Sequence, residues 1–258
     1  MSAIPLVYDE FGAGPPLIIL HGLFGSARNW QNYAKTLAER HHVIAVDLRN
    51  HARSPHAPTH TYSDLAEDVA ALLESLDLSD VTLLGHSMGG KAAMTLALAS
   101  PARLAKLVIV DIAPVAYDDH HTSLIDAMLA MPLAEVHRRQ DAERWLESLV
   151  PDPTIRLFLL QNLQFGAGGS QWRLNLPVLR AAMPELIGAI TPAGGAQFTK
   201  PVHFIRGARS DRIVDSTLPI IASYFPLYAV HTVANGGHWP HSEAPTEFRV
   251  HLATALDH

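Results

Sequence analysis

Cysteine is absent from all 258 residues, so disulfide staples, thiolate metal sites and a cysteine nucleophile are excluded from the outset. Charge is also sparse, at 17% of residues, and the 19 Lys and Arg are scattered among 25 Asp and Glu for a net charge of -6. Binding to nucleic acid needs a clustered cationic face that can release counterions, so no nucleic-acid partner is expected. Long apolar runs are missing as well. No stretch approaches the roughly 20 apolar residues of a membrane span, and Met1 to Gly12 lacks a basic region followed by an apolar core. No membrane span is expected, and the cytoplasm is the default location. Sixteen histidines raise the question of a metal. The pairs His41-His42 and His120-His121 lack the helical i, i+4 spacing with a third ligand that zinc sites use, so no metal is expected.

What the chain does have is apolar content, 48% of residues, enough for a packed core. The length suits one α/β domain with an inserted subdomain. Short β-branched runs bounded by turn residues predict strands over Pro16 to Leu20, His42 to Val46, Val81 to Leu84 and Leu104 to Val110. Leu6 to Phe11 is expected as an antiparallel edge. Helical patterns lie between them: Ala27 to Arg40 after a Ser26 cap, Asp64 to Leu76 after a Ser63 cap, and Met88 to Ala99 before Ser100-Pro101. Such alternation implies right-handed crossovers and a mostly parallel sheet flanked by helices. From Ala113 to about Thr199 the rhythm changes to broken helices with no clear strand, which predicts a helical lid. The αβ rhythm resumes with a strand over Pro201 to Ile205, a helix near Asp215 to Tyr224, a strand near Leu227 to Val233 and a closing helix over Glu243 to Ala255. The expected division is therefore a core from 1–112, a lid from 113–199 and a second core segment from 200–258.

The strongest local signal is Gly85-His86-Ser87-Met88-Gly89, which follows an apolar strand and opens a helix. A strained strand-to-helix turn with small residues on either side exposes a serine hydroxyl beside a helix N-terminus, which makes Ser87 the candidate nucleophile. The bland alternative is a glycine-rich turn. Serine needs a base within hydrogen-bond reach and an acid to orient that base. His238, in Asn235-Gly236-Gly237-His238 after the last strand, is the candidate base. His241, past Pro240, lies nearer the final helix. Two aspartates compete for the acid. Asp211 follows the next-to-last strand and gives the chain order Ser, Asp, His, so it is the default. Asp111 follows the strand after the nucleophile, where an acid is a known variant. Either also has a structural reading: Asp211 capping a helix or pairing with Arg212, and Asp111 tying down the entry to the lid.

The backbone N–H groups of Met88 and Leu23 are the expected oxyanion donors, one from the helix N-terminus and one from the loop His21-Gly22-Leu23-Phe24-Gly25. His21 and His86 read as structural residues of those loops. The candidate substrate pocket comprises Phe24, Phe158, Phe165, Trp172 and Trp239, although a lid helix buries an apolar face in any case.

Taken together, His21 to Ser26, Asp47-Leu48-Arg49-Asn50-His51, Gly85 to Lys91 and Val110-Asp111-Ile112-Ala113-Pro114-Val115 resemble the bacterial YbfF-type esterases and their mitochondrial relatives within the α/β-hydrolases. The resemblance spans most of residues 15–115, returns at 235–241 and is looser at Trp172-Arg173-Leu174-Asn175-Leu176. It implies carboxylesterase activity on short- to medium-chain acyl esters, with a small-molecule ester as partner and no cofactor. A monomer or homodimer is expected. Thioesterase, lipase and C–C bond hydrolase share the same triad, and a hydrolase-like ligand receptor is the alternative outside catalysis. In that group the Asp of the Val-Asp-Ile segment is a serious candidate for the acid, and the loop that holds Asp211 often lacks one. This chain departs from the group there, and again at Ala52, where the group usually has Gly.

Overall fold

The computed structural model describes residues 3–166 and 169–257. In chain order the strands are β1 Val7–Phe11, β2 Pro16–Leu20, β3 His42–Asp47, β4 Val81–His86, β5 Leu104–Val110, β6 Leu163–Gly166, β7 Gly169–Trp172, β8 Val202–Gly207 and β9 Tyr228–Val233. Seven of them make one sheet in the order β1-β3-β2-β4-β5-β8-β9. Every pair in it is parallel except β1 on β3, the antiparallel edge expected from the sequence. The helices are α1 Gln31–Leu37, α2 Tyr62–Ser75, α3 Met88–Ala99, α4 Thr122–Leu129, α5 Arg139–Glu147, α6 Pro153–Leu159, α7 Leu176–Leu186, α8 Leu218–Tyr224, α9 Pro240–Glu243 and α10 Pro245–Asp257.

Alternate strand residues feed two cores, because successive side chains leave opposite faces of a pleated sheet. On β2, Leu17 and Ile19 pack with Val43, Val108 and Ile205 under Tyr33 and Ala34 of α1 and Phe248 and Leu252 of α10. Ile18 and Leu20 pack on the other face with Ile44, Leu83 and Ile109 under Leu65 and Val69 of α2 and Ala92 of α3. This second core runs without a break into the segment between β5 and β8, where Ile125, Met128, Leu146 and Leu179 are buried within it. The central strands are apolar on both sides because helices cover both sides.

Local structure departs from the sequence reading in three places. Helix α2 is capped by Thr61, not Ser63: Thr61 Oγ1 accepts the Asp64 N–H at 3.0 Å and the Asp64 carboxylate accepts the Thr61 N–H at 3.0 Å. This reciprocal capping box satisfies two orphan donors, and Ser63 falls inside the first turn. The run after Ser26 begins as a short 3-10 turn, Ala27–Trp30, before α1. The segment between β5 and β8 also contains the two-stranded antiparallel pair β6–β7. It has only four residues a side and little buried surface, so it shows no hydrophobic alternation to detect.

The loop after β3 is pinned by a buried ion pair. Arg49, with a side chain 2% exposed, grips Asp68 of α2 through Nε at 2.6 Å and Nη2 at 2.7 Å, and Asp64 lies 3.2 Å away. Three residues on, Ala52 holds a left-handed backbone with φ 48. A Cβ in that region costs about 1–2 kcal/mol, which explains why glycine suits the position. Replacing Ala52 by Gly relieves that strain and returns part of it as unfolded-chain entropy, so Ala52→Gly should stabilise the fold by about 0.5–1 kcal/mol. A urea midpoint that falls would show that Ala52 is unstrained.

Candidate active site

All the sequence-predicted polar residues lie on loops at the C-terminal edge of the sheet, where parallel strands open into a crevice. Ser87 stands between β4 and α3 with φ 52 and ψ -119, an unfavourable conformation for a residue with a side chain. The turn holds it there. Ser87 N–H donates to Val110 O at 3.1 Å and Ser87 O accepts from Lys91 N–H at 3.0 Å. The tightness of the turn forces its glycines: a Cβ on Gly85 would meet Gly89 O at 2.3 Å, and one on Gly89 would meet His21 O at 2.5 Å.

A continuous hydrogen-bonded chain leads away from that hydroxyl. Ser87 Oγ lies 3.0 Å from His238 Nε2, and His238 Nδ1 lies 2.8 Å from Asp111 Oδ2. The buried carboxylate makes Nδ1 the protonated nitrogen, so Nε2 is free to accept the serine proton. Asp111 is fully buried, and its other contacts satisfy it: Oδ1 accepts the Gly207 N–H at 2.9 Å and Oδ2 accepts the Ser210 hydroxyl at 2.5 Å. Asp211, the default from chain order, is not part of this chain. Its side chain is 81% exposed and approaches Arg212 at 3.4 Å. The loop after β8 turns Ser210, not Asp211, toward the histidine's partner. Ser210 carries no acid signature, and nothing in the sequence marked it.

The loop carrying His238 is clamped by groups that sequence reasoning also missed. Glu243 accepts the Gly237 N–H at 2.8 Å and the Trp239 N–H at 3.0 Å, bracketing the histidine, and takes Arg209 Nη2 at 2.9 Å. Glu247 accepts the Ala234 N–H at 2.7 Å. The only available signal was two acids in the helical turns that follow, which equally suit helix N-termini. His86 donates Nε2–H to the His238 carbonyl at 2.8 Å.

Leu23 and Met88 line the same small cavity as Ser87. The Met88 N–H is in the first turn of α3, where no intrahelical acceptor exists. The hydrogen bonds of the Leu23 loop run instead from Gly25 N–H to Gly22 O at 2.9 Å and from Phe24 N–H to His51 Nε2 at 3.3 Å. Two buried histidines brace this loop as neutral tautomers. His21 accepts Leu48 N–H at Nε2 and donates Nδ1–H to Gly22 O, while His51 donates Nδ1–H to Arg49 O. Across the crevice, Asn162 donates to Phe24 O at 2.8 Å and Asn175 to Asn50 Oδ1 at 3.0 Å, which anchors the segment between β5 and β8 on the core loops.

Two spaces meet at Ser87. A small cavity of about 40 Å³ lies among Tyr62, Ile112, Tyr117, Met183 and Ile187. A cleft of about 1050 Å³ runs past Phe24, Phe158, Trp239 and Arg249. Phe24, Phe158 and Trp239 thus line the cleft. Phe165 and Trp172 line neither space: Phe165 is 39% exposed on β6, and Trp172 ties Nε1–H to Met128 O at 3.0 Å. Their membership of the pocket is corrected, because pairing in β6–β7 carries them away from the crevice. Among the described residues no three His, Asp or Glu side chains converge as a metal-holding group, and no helix is long and apolar enough to cross a membrane.

This fold matches the α/β hydrolase fold family over residues 15–155, more than half of the chain, and the chain belongs to that family as a hydrolase enzyme. Its relatives include proteins named as esterases and lipases. It is 38% identical to the sn-1-specific diacylglycerol lipase ABHD11 of Mus musculus over 96% of this chain and 84% of that protein. It is 34% identical to Esterase YbfF of Escherichia coli K12 over 89% of this chain and 88% of that one. A solved marine microorganism esterase superposes with a TM-score of 0.94 at 34% identity, covering 98% of this chain and all of the other.

The histidines around the site set the acid tolerance of the fold. Burial lowers His21 to about 4, His51 to about 3 and His241 to about 3, and holds His60 and His86 well below 6.5. The unfolded chain binds protons at these groups near pH ~6.5 and the folded chain does not. Stability is therefore fully present above that pH and declines as pH falls toward 4, by about 1.4 kcal/mol per pH unit for each such group. Urea midpoints should be level from pH 7.5 to about 6.5 and fall from there to pH 5.0. A flat profile would mean that these imidazoles ionise within the fold.

Proposed function

We propose that the protein is a serine carboxylesterase, with Ser87 as nucleophile, His238 as general base and Asp111 as the acid that orients the base. The observation that carries this reading is the unbroken chain from Asp111 Oδ2 to His238 Nδ1 and from His238 Nε2 to Ser87 Oγ, at 2.8 and 3.0 Å. In the first half-reaction, Ser87 Oγ attacks the ester carbonyl while His238 Nε2 takes its proton. The N–H groups of Met88 and Leu23 receive the developing oxyanion, a contribution of roughly 10²–10³ in rate for one such donor. His238 then returns the proton to the leaving alkoxide. In the second half-reaction, water gives a proton to the same nitrogen, attacks the acyl-enzyme and releases the acid and free Ser87.

Residues 113–199 act in this reading as a lid over a core made of 1–112 and 200–258. Support for it comes from the amide anchors of Asn162 and Asn175 on the core loops and from the cleft enclosed beside Phe158. The cleft's volume suits short- to medium-chain acyl esters, with no cofactor required by the chemistry.

Hydrolysis of p-nitrophenyl esters with two to twelve acyl carbons tests the proposal. Wild type should turn over at least the short members, and Ser87→Ala should reduce kcat to background. Asp111→Asn should lower kcat by about 10³–10⁴, because the imidazole then lacks an acceptor that fixes its tautomer, whereas Asp211→Asn should stay within about threefold, as expected of an exposed pair. Equal losses at the two aspartates would overturn the assignment of the acid. Absence of turnover on every chain length would leave a ligand receptor in place of an enzyme of this specificity.

A further inference from the structure

Among the described residues, Arg212 is the one arginine or lysine at the meeting point of the two spaces, and it is nearly buried. With Leu23, Ser87, His121 and His238, it lines both the small cavity and the large cleft. Its side chain is 14% exposed. The guanidinium carbon sits 4.9 Å from the ring centroid of Tyr117, itself a wall of the small cavity. The other buried cations among the described residues each donate to protein acceptors: Arg49 holds Asp68 in a fork, Arg156 donates through Nη1 to Val150 O and Pro151 O, and Lys91 donates to Gly188 O. Among the described residues, the only carboxylate on Arg212 is Asp211, at 3.4 Å from Nε and itself 81% exposed, and beyond the Tyr117 ring face neither Nη makes a hydrogen bond to protein. A guanidinium brings five donors in a planar fork that matches a carboxylate.

The carboxylates nearby are committed or exposed: Asp111 is buried but taken up by His238, Ser210 and the Gly207 N–H. Asp118 lines the small cavity and Asp211 the cleft, but both are exposed and screened by water. Glu243 is committed to Arg209 and two backbone N–H groups. The field of Arg212 acts through the low-dielectric walls of the cavity, where it is least attenuated. Its charge is among the causes, after burial, that hold His121 at about 4 and Lys91 at about 7. His121 Nδ1, beside the same cavity, is buried without a partner.

We infer that the preferred substrate is an anionic ester, the half-ester of a short dicarboxylic acid, whose free carboxylate docks on Arg212 while Ser87 attacks the ester carbonyl. The inference rests on the esterase reading of Ser87 and His238. The carboxylate and its short linker occupy the small cavity, whose roughly 40 Å³ admits only a few heavy atoms, and the alcohol part lies in the cleft. The chemistry balances as for any ester: the Oγ–C bond forms, the C–O bond to the alcohol breaks, and His238 carries the serine proton to the departing oxygen. Water then supplies the hydroxyl of the second carboxyl group, so the products are the dicarboxylic acid and the alcohol.

The test compares kcat/KM for monoethyl succinate with that for ethyl pentanoate and diethyl succinate, followed by pH-stat at pH 7.5. Wild type should favour monoethyl succinate over each neutral ester by at least about tenfold, the scale of one charge-assisted hydrogen-bonded contact. Arg212→Met should lower that ratio by about 10–100-fold, with the loss mainly in KM, and Arg212→Lys should recover part of it. A ratio of rates on one preparation is independent of the fraction that folds. A wild-type ratio at or below one, or a ratio unchanged in Arg212→Met, overturns the inference and leaves the esterase reading standing. No turnover of any of the three esters overturns the esterase reading, and the inference with it.

Discussion

A single buried carboxylate joins the loops on which the site depends. Asp111 sits at the end of β5 with no exposure, and an ionised carboxylate in that position costs several kcal/mol unless its oxygens are occupied. Three donors occupy them, from two loops far apart in the chain: Gly207 N–H at the end of β8 and the Ser210 hydroxyl just after it, and His238 Nδ1–H beyond β9. Satisfying the charge therefore fixes the relative positions of three strand ends. Its own backbone is left-handed, φ 50, a strain that such a web of bonds holds in place.

The rest of the crevice is organised in the same way, by side chains that satisfy backbone groups in loops. Glu243 and Glu247 take up the N–H groups on either side of His238, His21 and His51 brace the loop with Leu23, and Asn162 and Asn175 dock the segment between β5 and β8. None of these contacts covers much apolar area. Their value is geometric, since catalytic groups act only when held within a fraction of an ångström of a productive arrangement. The histidines can serve here only while neutral, because each bracing ring must accept a backbone N–H at one nitrogen. Acid sensitivity follows from that requirement.

Much of the architecture was legible in the residues. Runs such as Pro16 to Leu20 and Leu104 to Val110 read as strands because strands apolar on both faces belong to a sheet covered on both sides, and the elbow around Ser87 read as a turn because only glycine fits at positions 85 and 89. The strands β6 and β7 were not legible, since their residues are largely polar or exposed and pair without a hydrophobic alternation. The cap at Thr61 was missed because Ser63 has the same chemistry two residues on. Phe165 and Trp172 carried the composition of a pocket and lie outside it, since composition does not report direction.

The sequence by itself determined the sheet, the strained serine turn and the histidine after the last strand, because each is encoded in a local pattern of residue types and spacing. Which aspartate meets that histidine was decided only by tertiary structure. Asp111 and Asp211 both follow sheet strands and are equivalent in local pattern. The difference arises from how the two loops pack: one carboxylate is turned inward onto donors from the loops after β8 and β9, and the other is left in water beside Arg212. The same folding brought Arg212 and Ser87 to one cavity, a proximity between residues far apart in the chain that no spacing rule carries.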